Sequence, residues 1–271
     1  MITATFRTEL QKQFLRVRTY VALAFVMLIP LLITLAVRYG NRGRDAAGDT
    51  LFGLSRTSGV VLPAAALFMM SRFLLVVVVA IFAGDAIAGE ATWGNLRYLL
   101  VRPLGRSRLL SAKLATAITL TLCATLLIVV TGLIAGGLAF GIHPVDVPVI
   151  GLHQSVAALL THLGIGSAYV AWHMVPIVAI ALMVSTMTDN PTGAIGAGVG
   201  LSVVSQILDA IPQLGSLRNA LPTHYLEAWR VLIVRGQTSS DLWRGVLLQI
   251  PYIVVFCSIA FLWFRRKDVL S

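Results

Sequence analysis

Charge is what this 271-residue sequence has least of. Asp, Glu, Lys and Arg make up 12% of it, against 58% hydrophobic residues. A soluble domain carries roughly 25% charged residues, so an ordinary water-soluble fold is excluded. Cysteine is nearly absent too. Cys123 and Cys257 each lie inside an apolar run, read as small core hydrophobes, and imply no disulfide or metal framework. No phosphate loop of the form GxxxxGK[ST] occurs. The nearest approach starts at Gly84 and has Glu90 where the phosphate-binding lysine belongs and Ala91 where the magnesium-binding hydroxyl belongs, so a carboxylate there repels phosphate. HExxH and GxSxG are missing as well. The five histidines, His143, His153, His162, His173 and His224, include no pair four residues apart of the kind a helix uses to hold a metal. No catalytic residue and no metal or cofactor site is expected on this chain. No internal repeat is visible, which weighs against a carrier built from two related halves, and no cleavable leader is evident.

What is present is a series of apolar runs near twenty residues long, with a mean hydropathy of +0.88. These predict an all-α polytopic membrane protein. A barrel would instead show alternating segments of roughly ten residues. Residues 1–19 are amphipathic, with Ile2, Phe6, Leu10, Phe14 and Val17 recurring every three or four positions among Arg7, Lys12, Arg16 and Arg18. This is the pattern of a helix lying in the membrane interface. Residues 20–264 read as six spans: Tyr20–Val37, Val60–Phe82, Leu114–Phe140, Leu163–Met187, Gly193–Ile211 and Gly245–Phe264. Kinks are expected at Pro30 and Pro176. Residues 38–59 read as a polar loop and 152–162 as a short interfacial helix. Residues 213–244 are too broken by polar residues to cross a bilayer and read as a re-entrant or surface segment. Residues 265–271 form a basic tail.

Charge that does occur is positive, with a net +10. In a soluble protein this would raise nucleic acid as a partner. Here the cations cluster between spans, where they set orientation and meet lipid headgroups, so a nucleic-acid partner is not expected. Six spans put both termini on one side. That side carries twelve cations and the other eight, which points to cytoplasmic termini. The densest cluster is the loop from Gly84 to Lys113, with Arg97, Arg102, Arg106, Arg108 and Lys113. Within it Trp93, Leu96 and Leu100 share a helical face, and Pro103 stops the helix. A short amphipathic helix between two spans is suited to contact a soluble partner.

Two ionisable residues, Arg72 and Asp209, fall inside apolar runs. Such groups are costly in lipid, so they are expected to line a pathway or to pair with each other, unless each lies near enough to an interface to snorkel. Gly196 and Gly200 form a GxxxG face that serves close helix packing, within one chain or between two.

The loop also resembles the permease subunits of type-2 ABC exporters. The resemblance rests on Glu90, Gly94, Leu96, Leu99 with Leu100, Pro103, Arg106 and Lys113, in that family's order and spacing between the second and third spans. Asn95 stands where the family often has Thr, and Gly105 where it often has Ser. The resemblance implies a coupling helix from about Glu90 to Arg102 that docks on a separate phosphate-loop ATPase, with two permease protomers and two ATPase copies. ATP and Mg would be bound by the ATPase and none by this chain. It further implies that Trp93, Leu96 and Leu100 face the ATPase, that Glu90, Arg97, Arg106 and Lys113 make polar contacts to partner or lipid, and that residues 213–244 close the outer end. A bacterial plasma membrane location goes with it. The rival readings are a non-transporting membrane scaffold or a channel-like carrier. The substrate is not legible.

Overall fold

The computed structural model describes residues 2–40, 51–92, 105–147, 152–236 and 239–266. These residues are helical apart from turns, a 3-10 segment and one small hairpin. Helix α1 covers Ile2–Phe14 and α2 Val17–Tyr39; the short α3 covers Leu51–Thr57. Helices α4 (Leu62–Ser71) and α5 (Leu74–Gly84) lead to the five-residue α6 (Ala88–Thr92). Then come α7 (Arg106–Phe140), the antiparallel strands β1 (Val145–Val147) and β2 (Leu152–Gln154), α8 (Val156–Met187) and α9 (Pro191–Asp209). A 3-10 segment, Pro212–Ala220, and the short α10 (Arg230–Arg235) precede the last helix, α11 (Ser240–Arg266).

Among the described residues, five helices (α2, α7, α8, α9 and α11) are long and apolar enough to cross a membrane. The bent pair α4–α5 makes a sixth crossing if it counts as one span. This is the architecture of a multi-pass membrane protein. Its apolar exterior agrees: Phe25 on α2, Leu126 on α7 and Val254 on α11 are each more than half exposed, a surface that water-soluble monomers rarely show as a contiguous band. Helix α8 is the axis of the bundle. Of its most apolar stretch 72% is buried, against 28% for α2, 22% for α9 and 17% for α11. It packs on α5, α7, α9 and α11. Pro30, Pro176 and Pro251 sit inside α2, α8 and α11 without ending them.

Several expected boundaries move. Val17 and Arg18 belong to the first span, not to the N-terminal helix. The stretch 38–59 is not wholly a loop, because Leu51 and Leu54 are buried on α3. Residues 156–162 are no separate interfacial helix but the first turns of α8, started by Ser155, whose Oγ accepts from the Ala158 amide at 3.3 Å. Arg106 and Lys113 are not in a loop but in the opening turns of α7. Cys123 is exposed on α7, so it is not a core residue.

The largest correction concerns the second span. It breaks at Arg72 with a 60° bend, where a continuous span was expected. A break in lipid frees backbone groups that must be satisfied inside the protein. Gln206 on α9 does this, donating its Nε2 to the Arg72 carbonyl at 2.8 Å.

At the other end of α4, the chain crosses α7 without side chains between them. A Cβ on Gly59 would run into the Gly136 carbonyl, and a Cβ on Gly136 into that of Gly59; one on Gly132 would meet the backbone of Pro63. Gly132 and Gly136 are a GxxxG pair used for packing inside the chain. The Gly59 amide donates to the Gly141 carbonyl at 2.9 Å and closes this corner. The end of the bundle holding Gly59 and Gly141 is called distal below, and the end holding α1, α6 and Arg265 proximal.

Candidate functional site

At the proximal end the flanks of the basic loop sit over a buried ion cluster. Its centre is Lys113, 2% exposed. It stands seven residues into α7, about 10 Å along the axis from the start of that helix. Its Nζ lies 3.0 Å from Glu9 Oε2 on α1 and 2.8 Å from Glu90 Oε2 on α6, and donates to the Ala86 carbonyl at 2.7 Å. Two of the three ammonium donors are spent on Glu9 and the Ala86 carbonyl; Glu90 Oε2 accepts no hydrogen bond among the described residues, so its contact with Lys113 is electrostatic. A second focus is Asp85, also buried. Arg16 and Arg18 both donate to its carboxylate, Arg18 at 2.7 Å. Arg16 joins the two foci, reaching within 4.0 Å of Glu90. Lys12 closes the rim on Glu9 at 3.2 Å. Among the described residues four cations thus meet three carboxylates, leaving one positive charge in excess.

This cluster ties three segments far apart in sequence. It also explains the seating of α1. The apolar positions Leu10 and Phe14 are only half buried, whereas Glu9 and Gln13, one turn apart, form the buried face toward α7. The helix expected in the membrane interface thus also turns a carboxylate to the bundle, where Lys113 meets it.

Both flanks of the loop are fastened to span ends. The amides of Ile87 and Ala88 donate to Ser185 Oγ near the end of α8 at 3.1 and 2.9 Å. Thr92 Oγ1 donates to the carbonyl of Asp189, between α8 and α9, at 2.7 Å. On the other flank Arg106 donates to the Arg265 carbonyl at the end of α11 at 3.1 Å. Glu90 and Lys113, expected to offer contacts to a partner or to lipid, therefore point into the protein and at each other. Trp93, Gly94, Leu96, Arg97, Leu100 and Pro103 lie outside the described residues, as do Asn95, Leu99 and Arg102.

The family described as a protein of unknown function, DUF2705, matches residues 50–270. The chain belongs to the DUF2705 family. It is also 23% identical over 201 residues to the uncharacterized protein YhcI of Bacillus subtilis (strain 168), an alignment that covers 70% of this chain and 63% of that protein. The DUF2705 match divides the ion cluster. Asp85, Glu90 and Lys113 fall inside the matched stretch, and Glu9, Lys12, Arg16 and Arg18 fall before it.

The other two candidate residues of this DUF2705 chain, Arg72 and Asp209, do come together, but not as a pair. Both line one distal cavity of about 320 Å³ beside the break between α4 and α5, with Gln206, Arg218, His224 and Glu227. Arg72 pairs with Glu227, and Asp209 with Arg218 at 3.2 Å and with His224. The partners come from residues 212–229, which sequence reasoning treated as one polar segment. That segment is pinned to the spans: Tyr169 Oη donates to the Tyr225 carbonyl at 2.7 Å and Gln249 Nε2 to that of Pro222 at 3.0 Å. Trp229 is buried against Gly166 on α8.

The glycine face of α9 splits. Gly198 packs on Ala80 and Ala181, while a Cβ on Gly193, Gly196 or Gly200 would meet nothing. The in-chain packing role weighed for Gly196 and Gly200 is taken by Gly132 and Gly136 instead.

Glu9 lies outside the spans and supplies a pH test. Burial on its own would push its carboxyl up. Lys113 and Lys12 outweigh that and hold it below its ordinary value of 4.5. A carboxyl lowered by folding stabilises the folded state at pH values above its unfolded value, and this is lost as pH falls through the lowered one. Thermal unfolding in detergent is expected to fall in temperature as pH drops below about 4.5, and Glu9→Gln should flatten that slope. An unchanged slope would remove Glu9 from the account.

Proposed function

We propose that this chain is the transmembrane permease subunit of an ATP-driven ABC exporter. The observation that carries the reading is that both flanks of the basic loop are bound to span ends over one buried ion cluster. A push on such a loop passes through α6 to the junction of α8 and α9, and through Lys113 to α7 and α1. A chain without a phosphate loop harnesses ATP only through a partner, and binding or hydrolysis there must favour one of two packings of the spans. The coupling helix of residues 90–102 is the docking element, and Trp93, Leu96 and Leu100 are its apolar face.

On this reading α4 and α5 form one broken span, the spans number six, and both chain ends are cytoplasmic in a bacterial inner membrane. Two phosphate-loop ATPase subunits carrying ATP and Mg bind at the proximal end. A second permease protomer, identical or homologous, meets the open Gly196 and Gly200 face. Residues 213–244 close the outer end.

The test is affinity purification from the native genomic background in mild detergent, with Leu96→Glu/Leu100→Glu as the comparison. Charge reversal at Glu90 is avoided, because it would break a buried pair. A phosphate-loop ATPase is expected in stoichiometric amount with the parent chain. The double variant should retain less than about a tenth, since truncating one apolar hot spot commonly costs more than tenfold in affinity. Absence of any ATPase in several mild detergents would overturn the reading in favour of a scaffold or a channel-like carrier.

A further inference from the structure

Two cavities near the start of α2 lie side by side and share lining residues. The first, about 280 Å³, is lined by Arg16, Val17, Arg18, Asp85 and Gly89. The second, about 490 Å³, is an almost wholly apolar groove between α2, α5 and α9. Val17 and Arg18 border both. From Arg18 the groove follows Val21 and Phe25 on α2 and Val77 and Ile81 on α5, and Ile195 lines it from α9. We propose that this composite site holds one anionic glycerophospholipid, its phosphate between Arg16 and Arg18 and an acyl chain in the groove.

Three features of different kinds agree. The first is charge. The excess positive charge of the ion cluster equals that of one phosphodiester, and Arg18 is its most solvent-open arginine, 56% exposed. Each guanidinium has five N–H donors, and one nitrogen of each is committed to Asp85. The second is backbone. Helix α2 begins with no side-chain cap and no acid in its first turn, so its amide dipoles face this mouth without a side-chain acceptor. The third is shape. The apolar groove runs about 10 Å from Arg18 to Phe25 at 1.5 Å per residue, starting where the cations stand, as the junction of headgroup and chain requires. A protein helix in the groove would satisfy the apolar walls but, Asp85 being already shared by both arginines, would leave the one excess positive charge unmatched. Charge complementarity therefore selects the lipid over a second copy of the chain.

The proposal does not rest on the exporter reading, and its test uses no ATPase. The purified full chain would be equilibrated with mixed phosphatidylglycerol and phosphatidylcholine micelles and its retained lipids counted by native mass spectrometry. One phosphatidylglycerol should be retained in preference to phosphatidylcholine. Arg18→Gln should reduce that preference roughly fivefold, the effect of one surface cation on an anionic lipid. Val77→Trp, which fills the groove, should abolish retention of that lipid; Val21→Trp does the same from α2 if the first variant fails to fold. Equal retention of the two lipids, or a preference untouched by both kinds of variant, would overturn the proposal and leave ordinary annular lipid. A groove-filling variant that splits a dimer without changing the lipid count would also overturn it and make the groove a contact between chains.

Discussion

Replacing Lys113 with methionine is expected to destabilise the fold by roughly 3–5 kcal/mol, the cost of removing one partner from a buried ion pair. Methionine fits the volume, so the loss is electrical. Glu9 and Glu90 would each lose their shared cation within an almost dry site. Lys12 and Arg16 soften the effect without replacing Lys113, the first on Glu9 at the rim and the second 4.0 Å from Glu90. For a chain of this size the loss corresponds to a fall of about 10 °C in unfolding temperature. Adding Glu90→Gln should recover part of it, because the second change removes one of the stranded charges. A single variant that melts with the parent would show that the cluster is not structural. Loss of stability should be accompanied by faster proteolysis of α1, whose buried face is held by this lysine.

The second large effect belongs to the distal corner. Gly136→Leu is expected to cost roughly 1–3 kcal/mol or more, the usual penalty for forcing atoms into a packed interior. The obstacle is the backbone carbonyl of Gly59, with Leu62 beside it. A carbonyl cannot rotate away as a side chain can, so α4 would have to separate from α7. Gly164→Leu is the control: the same chemical change on α8 meets open space, and it replaces glycine by a better helix former. In detergent-dispersed protein the first variant should melt lower and the second should not. Equal melting would mean that the crossing at Gly59 and Gly136 is looser than described.

The membrane class and the rough positions of the long helices were legible because apolar runs of about twenty residues admit few other folds. The density of charge around residues 84–113 was legible too. What escaped was direction. Glu90 and Lys113 were visible as a spaced pair, but nothing local says that a glutamate and a lysine 23 positions apart turn inward at the same point. Asp85 entered only as part of a failed phosphate loop. Glu9 was hidden in a helix whose apolar spacing suggested a different buried face; the one available cue was the polar pair Glu9 and Gln13, four residues apart. The bend at Arg72 was half legible. The charge marked the place, but its partners, Glu227 and Gln206, come from a polar stretch and a helix end whose approach no periodicity reports.

The contact between Glu9 and Lys113 spans 104 residues, and this has a bearing on biogenesis. A ribosome adding roughly 5–20 residues per second needs about 5–20 s to travel that distance. Throughout that interval the nascent N-terminal helix carries an acid whose counter-ion has not yet been made. It must wait at the bilayer surface, hydrated, while two hydrophobic segments enter ahead of its docking. A chain cut short before Lys113 would leave that acid permanently unmatched, with α1 undocked and open to a quality-control protease.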